Sequence, residues 1–375
     1  MKNEEFAIAL SEKKQEEAIK DVSLKIKSMF PKNIGNLIVL FTPHYNPSAI
    51  LKTINLTLKP QKILGVGAPF LIFEEKVISK GIIACCINKA SVELKETFLK
   101  TGESQEIETL LRSSLKELKR SEFCLLSFMS PGINPYPYLK GVKFSLGKSF
   151  NLIGAGYVKK YSRHNSQIIN NAGDEGLINV IIKGLEIQSL KLENFVPLGK
   201  SFTISKASAD RGLITEIDGQ PAVNIYRHYL EEKFDSFLKN NLFSFYPLGI
   251  KYNGQMHIIN VLECLQDGSL RCLGEIRENT PGYIMFMDSS LLLNELENKL
   301  APIKKNNQGL VFIVNSLTRK KILKKSFTEE ISAIKRSLGD KFKIIGLYSD
   351  YAFYSSQEYK NISLETVNTI ITLWQ

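Results

Sequence analysis

The 375-residue sequence lacks several features that would place it in a special class of protein. No apolar run reaches the roughly 18 residues that a membrane-spanning helix needs, so we expect no membrane insertion. The first residues, Met1 to Leu10, have neither the basic start nor the long apolar stretch of a signal peptide. The five cysteines are odd in number and form no Cys-x-x-Cys pair, which indicates reduced thiols. Together these absences predict a cytoplasmic protein.

Residues for metal binding and catalysis are also scarce. The four histidines are scattered and include no pair with the spacing of metal ligands. The glycine pairs at Gly65 to Gly67 and Gly154 to Gly156 do not continue to the third glycine of a dinucleotide-binding loop, so we expect no cofactor. His164 lies in a polar loop without a nucleophile motif, and Asp174 and Glu175 lie at a predicted hairpin tip. An enzyme is therefore the least favoured functional class.

The chain carries 49 Lys and Arg against 38 Asp and Glu, a formal net charge of +11. Such an excess raises the question of nucleic-acid binding. The lysines are spread along the chain, however, and the densest run, Arg319 to Lys325, contains no aromatic residue. The pattern favours a solvated lysine-rich surface, and we do not expect nucleic acid as a partner.

A strand, a helix and a second strand ending in a Gly-containing run recur three times in the chain. This self-similarity predicts an α/β fold of duplicated β-α-β units that form mixed sheets. The alternative is chance recurrence, since strand–helix–strand is a common unit. The predicted copies are Leu37–Phe41, Pro47–Leu58 and Lys62–Gly67; Phe123–Phe128, Tyr138–Leu146 and Asn151–Gly156; and Leu310–Val314, Phe327–Leu338 and Lys343–Tyr348.

The region between the second and third copies is richer in short strands and turns, which predicts two domains. A linker at Phe195–Gly199 divides the chain into residues 1–195, with two copies, and 196–375, with the third copy at 308–375. Other expected elements are a first helix at 11–29 capped by Ser11, a long strand at Val77–Ile87, a helix at Glu106–Lys119, a hairpin of Gln167–Asn170 with Gly176–Ile182, and a helix from Ala222 to Phe234 that Pro221 begins.

Functional loops of parallel β-α-β units lie at the carboxyl ends of the strands. The third copy has the most polar loops, at Asn315, Ser316 and Arg319 and again at Tyr348 and Ser349. Arginine presents a planar fork that suits a carboxylate or a phosphate, and the hydroxyl groups add donors. We therefore predict a ligand-binding site here. The alternative is that Arg319 only begins the basic surface run.

The stretch Gly212–Ala222, with Asp218-Gly219-Gln220-Pro221-Ala222 at its end, is similar to the Asp-Gly-x-Pro-Ala signature of the FIST family. Further matching pieces follow in the same order, so that the resemblance covers nearly the whole chain. They are Asp267–Leu270, Gly274–Ile276, Pro281–Gly282, Gly346–Ser349 and Asn361, with Leu37–Ile87 and Gly154–Gly184 before them. The resemblance implies an N-type and a C-type FIST domain.

The resemblance also implies a function. It points to a sensory module that binds a small polar metabolite, amino acids among the candidates, and passes the signal to a signalling protein. No F-box, kinase, cyclase or chemotaxis segment fits within the chain, so we expect a stand-alone protein. The alternative is a protein-interaction scaffold without a ligand.

Three departures from the family pattern bear on the predicted site. Ser316 stands where the family often has the cysteine of Cys-x-x-Arg, three residues before Arg319. Tyr351 and Ala352 stand where Gly-Glu is frequent, and Asn260 lies near a position where arginine is common. Asn260 therefore joins the predicted ligand-binding residues. These changes imply either a different ligand or weakened binding in a scaffold.

Overall fold

The structure is a computed structural model that describes residues 5–31, 34–89, 91–99, 106, 109, 113, 123–147, 150–158, 168–169, 176–252, 254–303, 308–356 and 362–375. His164, Asp174, Glu175 and Asn361 lie outside these ranges. So does most of the helix predicted at 106–119, of which the three described residues are helical. Within the described ranges, no helix combines the length and the apolar character needed to cross a lipid bilayer.

The first repeat begins with a strand that the sequence did not predict. Ser11 ends this strand and does not cap a helix, because the first helix starts four residues later. The long strand predicted at Val77–Ile87 is also wrong, since a turn divides it. The elements are β1 (Phe6–Ser11), α1 (Gln15–Met29), β2 (Asn36–Phe41), α2 (Pro47–Thr57), β3 (Lys62–Gly67), β4 (Leu71–Phe73), β5 (Lys76–Ile78) and β6 (Ile82–Ile87).

The second repeat follows the same order, and its helix starts in the same way as that of the first. Asn46 and Asn134 each precede a proline at the first helical position, and each side chain accepts a backbone N–H of the first turn. The elements are β7 (Glu93–Leu99), β8 (Phe123–Met129), α3 (Pro135–Leu146), β9 (Asn151–Gly156), β10 (Ile168–Ile169) and β11 (Leu177–Lys183).

An insertion of mainly antiparallel strands separates the second repeat from the third. A strand that belongs to the third repeat, β12 (Ile187–Leu192), comes before it. The insertion comprises β13 (Phe195–Ser208), β14 (Leu213–Ile217), β15 (Gln220–Pro221), α4 (Asn224–Leu230), α5 (Phe234–Lys239), β16 (Leu248–Tyr252), β17 (Gln255–Cys264), β18 (Leu270–Leu273) and β19 (Thr280–Met287).

The third repeat closes the chain. Its helix α8 coincides with the helix predicted from the apolar spacing at Phe327–Leu338. The elements are α6 (Leu291–Leu300), β20 (Gly309–Ser316), α7 (Leu317–Leu323), α8 (Phe327–Leu338), β21 (Phe342–Ser349), β22 (Tyr351–Ser355), β23 (Ile362–Glu365) and β24 (Thr369–Trp374).

Each repeat builds one mixed sheet of the same design. Two parallel strands lie side by side, an antiparallel strand from the end of the repeat flanks the first of them, and the strand with which the repeat begins lies outermost. The predicted mixed sheets of duplicated β-α-β units are therefore confirmed. The strand orders are β1-β6-β2-β3-β10, β7-β11-β8-β9-β22-β23 and β12-β24-β20-β21-β4-β5.

In each sheet, a strand from another repeat pairs with the free side of the second parallel strand. The β4–β5 hairpin of the first repeat pairs with β21 of the third, and the β22–β23 hairpin of the third pairs with β9 of the second. The short β10 of the second repeat pairs with β3 of the first. The predicted hairpin of Gln167–Asn170 with Gly176–Ile182 is therefore wrong. The three repeats exchange strands in a closed cycle.

The inner faces of the three sheets share one core. Leu40, Phe128 and Phe312, one from each repeat, are all buried in it, and Trp374 from the last strand stacks on Phe312 at a ring-centroid distance of 5.6 Å. The helices cover the outer faces in separate clusters. Because the strands are buried on both sides, they are apolar along most of their length, as the sequence showed.

The insertion closes into a barrel. Strand β13 pairs with both β19 and β14, and β15 is attached to β14. The linker predicted at Phe195–Gly199 is wrong, because these residues begin β13. Nothing in the fold tests the predicted division into residues 1–195 and 196–375, which stays a prediction.

The family-like stretch Gly212–Ala222 forms a hairpin of the barrel. Asp218 and Gly219 both have positive φ, 50° and 72°, as a type I′ turn requires. Pro221 lies in β15 opposite Glu216 and does not begin the helix. The helix predicted from Ala222 to Phe234 is interrupted at Glu231, whose φ is 44°, so that it becomes two short helices.

Candidate functional site

Arg319, the centre of the predicted site, lies in the interior with no exposed surface. Its guanidinium donates to the Glu330 carboxylate from Nε at 2.9 Å and forms an ion pair through Nη2 at 2.8 Å. It also donates to the backbone oxygen of Glu193 at 3.2 Å and to the side-chain oxygen of Asn194. The geometry therefore gives Arg319 a set of internal partners. Its predicted role in ligand binding stays a prediction.

Two more of the predicted residues belong to the same buried network. Asn315 donates to Glu330 at 3.2 Å and to the Tyr348 hydroxyl at 3.5 Å. The Thr369 hydroxyl lies 3.0 Å from both the Asn315 Oδ1 and the Glu330 carboxylate, so its single proton can be donated to either. Burial, with the Glu330 carboxylate close by, raises the pKa of Tyr348 well above its ordinary value. This network joins β20, β21, β24 and α8.

Ser316 and Ser349 also bond to neighbouring backbone. The Ser316 hydroxyl caps α7 by accepting the N–H groups of Thr318 and Arg319, and it donates to the Thr366 oxygen at 2.6 Å. The Ser349 hydroxyl donates to the Tyr351 oxygen at 2.9 Å. Both side chains are buried. Four of the six predicted residues, Asn315, Ser316, Arg319 and Tyr348, thus come together around the start of α7, and Ser349 lies nearby on β21.

Asn260 differs from the other five because it lines a small chamber. The side chain is 4% exposed, and its Nδ2 donates to the Thr318 hydroxyl at 3.2 Å. Its Oδ1 has no hydrogen-bond partner among the residues that the structure describes. This oxygen has almost no accessible surface, so it is an unpaired acceptor inside the fold and does not open onto the chamber.

The chamber has a volume of about 80 Å³ and lies where three parts of the molecule meet. The second repeat contributes the end of β9, the third repeat contributes α7 and the turn after β21, and the barrel contributes β17 and β18. This position agrees with the rule that sites of α/β folds lie beyond the carboxyl ends of the strands. Its lining residues are Val158, Asn241, Ser244, Asn260, Leu262, Leu273, Leu317, Thr318, Lys321 and Asp350.

Asp350 is the residue of the chamber that sequence reasoning missed. Its backbone N–H donates to the Gly156 oxygen at 3.1 Å, and its Oδ2 accepts the Val158 N–H at 2.8 Å. Burial raises the pKa of Asp350 to about 6, although the Val158 N–H and the Lys321 charge act in the opposite direction. The available signal was its position directly after Tyr348 and Ser349, at the carboxyl end of a predicted strand.

A larger depression of about 700 Å³ adjoins the chamber. The two share Val158, Leu262 and Leu273, so their common wall is apolar. Tyr136, whose pKa is raised to about 12 by burial, lines the depression and donates to the Gly274 oxygen at 3.0 Å. The cleft thus combines a small polar end with a wide, more apolar end.

Four of the five cysteines are buried. Cys85, Cys124 and Cys272 are buried, and burial raises the pKa of each thiol above its ordinary value. The pKa of Cys86 is raised to about 11 for the same reason. Such thiols are poor nucleophiles at neutral pH. Within the described ranges, no group of three or more potential metal ligands comes together.

Two protein-family models match the chain. The model of the FIST N domain matches residues 36–220, and that of the FIST C domain matches residues 222–350. No curated protein matches the sequence. FIST domains are associated with sensory signal transduction. With both domain models matched in order from residue 36 to residue 350, the chain belongs to the FIST family.

Proposed function

We propose that the protein is a sensory protein that binds a small polar metabolite in the chamber beside Asn260. The observation that carries the proposal is the lining of the chamber, where the polar side chains of Asn260, Thr318 and Asp350 from separate parts of the molecule surround one cavity. Such a convergence of a few polar groups with apolar neighbours is typical of small-molecule sites. The amino-acid-like ligands implied by the family resemblance are one candidate class.

The position of the chamber supports a sensory role. Asn260 belongs to the barrel, Asp350 to the third repeat, and Val158 follows the last parallel strand of the second. A ligand in the chamber contacts all three parts. Its binding energy can therefore favour one relative arrangement of these parts over another, which is the physical requirement for passing a signal.

A survey of metabolites by thermal shift, followed by isothermal titration of the hits, tests the proposal. At least one compound should bind the wild type, and Asn260→Leu should weaken binding by roughly tenfold, because an apolar side chain then replaces a polar group of the chamber wall and the bond to Thr318 is lost. Asn240→Leu, the same change at an exposed position, is the matched control.

Two outcomes would contradict the proposal. One is that no compound of a broad library binds. The other is that hits bind Asn260→Leu as tightly as the wild type. A stoichiometric protein partner captured equally with and without metabolites would then favour the scaffold alternative.

A further inference from the structure

We propose that the wide depression beside the chamber binds an organic carboxylate, with the charged group held between Arg211 and Arg271 and the apolar body on the floor of the depression. The inference goes beyond the proposed function, because neither arginine is among the residues that line the chamber in the described part of the chain. It assigns a second ligand site to the cleft and a chemical class to its occupant.

The charge of the depression has one sign. Of the described residues that line it, Arg211 and Arg271 are the charged ones, and none is acidic. Arg211 is exposed and makes no hydrogen bond or ion pair with any described residue. Arg271 contacts Glu263 through Nη1 at 3.1 Å, and this one contact leaves most of its N–H donors for another partner. A depression lined in this way attracts an anion and repels a cation.

The pairing of β14 with β18 brings the two arginines together. Leu213 lies directly opposite Arg271 in the register. The Gly212 oxygen, next to Arg211, accepts the Cys272 N–H at 2.6 Å. The two guanidinium groups therefore extend from neighbouring positions of one barrel wall. Arginine presents a planar fork that matches the two oxygens of a carboxylate, so two such forks can hold one carboxylate between them.

The floor of the depression is apolar and accessible to a ligand. Its partly exposed side chains are Ile133, Tyr136, Val158, Leu213, Leu262 and Leu265. The hydroxyls of the lining tyrosines are engaged within the protein, so that polar recognition falls to the arginines. Apolar surface beside a small number of polar groups favours a small molecule with an apolar body and one charged end.

The depression also lies where ligand sites of α/β folds are found. Strands β8 and β9 run parallel, and the residues that follow them, at 132–136 and 157–158, form one side of the depression. The barrel, with both arginines, forms the other side. The carboxyl ends of two parallel strands therefore open onto it.

Ligand-observed NMR on the full chain with three probes of similar size tests the chemical class. Phenylacetate should bind with a dissociation constant on the order of millimolar, as a ligand of so few atoms allows. Phenylacetamide has the same ring without the charge and should bind at least about fivefold more weakly, and phenethylammonium should not bind. Equal binding of the acid and the amide would overturn the inference, because the ring alone would then account for it. No detectable binding of phenylacetate would overturn it as well.

Arg211→Gln and Arg271→Gln test the two residues. Each should weaken phenylacetate binding about threefold, and the double variant should weaken it roughly tenfold, because exposed charge pairs contribute modestly and these two act on one group. Arg336→Gln removes the same charge at an exposed position outside the depression and should leave the affinity unchanged. Unchanged affinity in the double variant, or an equal loss in Arg336→Gln, would refute the assignment.

The two proposals fail separately. If the arginine variants lose phenylacetate affinity and no metabolite depends on Asn260, the proposed function fails and this inference stands. If a metabolite depends on Asn260 and phenylacetate binds no better than phenylacetamide, this inference fails and the proposed function stands.

Discussion

Replacing Glu330 with glutamine should destabilise the protein by about 3 kcal/mol. The carboxylate has no exposed surface and balances the charge of Arg319, which is equally buried. Breaking a buried ion pair from one side costs roughly 3–5 kcal/mol, because the remaining charge stays in the interior without compensation. Glutamine keeps the size of the side chain and one acceptor oxygen, so the lower end of that range applies.

Urea unfolding at pH 7 measures the effect, and Glu329→Gln is the matched control. Glu329 is the exposed neighbour on the same helix, and its replacement should change the free energy of unfolding by no more than about 0.5 kcal/mol. A double-mutant cycle with Arg319→Met extends the test. The double variant should be less destabilised than the sum of the single variants, by roughly 2 kcal/mol, since neither charge is then left alone.

Two results would refute this reasoning. One is a loss below about 1 kcal/mol for Glu330→Gln, and the other is strict additivity in the cycle. Either would mean that Arg319 is not committed to Glu330. The prediction that Arg319 serves a ligand would then gain support. If the expected loss is seen, weak ligand binding by an Arg319 variant has to be interpreted together with its reduced stability.

Three further predictions follow from the geometry. Asp350→Asn should stabilise the protein by about 2–3 kcal/mol at pH 8 and leave it unchanged at pH 3. A carboxyl group whose pKa is raised in the folded state contributes stability at pH values below about 4, and this contribution is lost as the pH rises through about 6. Equal thermal midpoints of the variant and the wild type at pH 8 would contradict this. Two separate fragments, residues 1–195 and 196–375, should each lack a cooperative unfolding transition and regain it when mixed, because strands of one fragment pair with strands of the other. A cooperative transition in either fragment alone would count against this. Of the five thiols, only Cys264, which is partly exposed, should react rapidly with Ellman's reagent in the folded protein. Rapid reaction of a second thiol would contradict the burial of the other four cysteines.

Much of the fold could be predicted from local patterns. The fully apolar runs gave β2, β3, β9, β20 and β21 nearly to the residue, and the apolar spacing of α8 gave its bounds. β1 was not predicted, because Phe6 to Leu10 is as consistent with the start of a helix as with a strand. The strand exchange was beyond reach for a different reason. The pattern of a strand reports which faces are buried and carries no information about which strand lies beside it.

For the candidate site, too, some features could be predicted from the sequence and others could not. The rule on strand ends selected Tyr348 and Ser349, and Asp350 is the next residue along the chain. It could not indicate that Arg319 turns inward, since its partner Glu330 lies on the following helix and their contact depends on how α7 and α8 pack. Asn260 was named only through a family departure. Its exposure to a chamber follows from the contact between the barrel and the third repeat, which local sequence does not encode.

The exchange of strands sets the order in which the three sheets can be completed. Strand β24, at the very end of the described chain, lies between β12 and β20 in the third sheet. The second sheet is incomplete until β22 and β23 are added to it, and the β4–β5 hairpin of the first repeat has no partner strand until β21 has formed. During synthesis, therefore, the second sheet keeps an open edge at β9, and the β4–β5 hairpin stays unpaired, until much of the third repeat has left the ribosome. The sheets can therefore be completed only after the third repeat has been made, and a product truncated before β22 exposes sheet edges that promote aggregation.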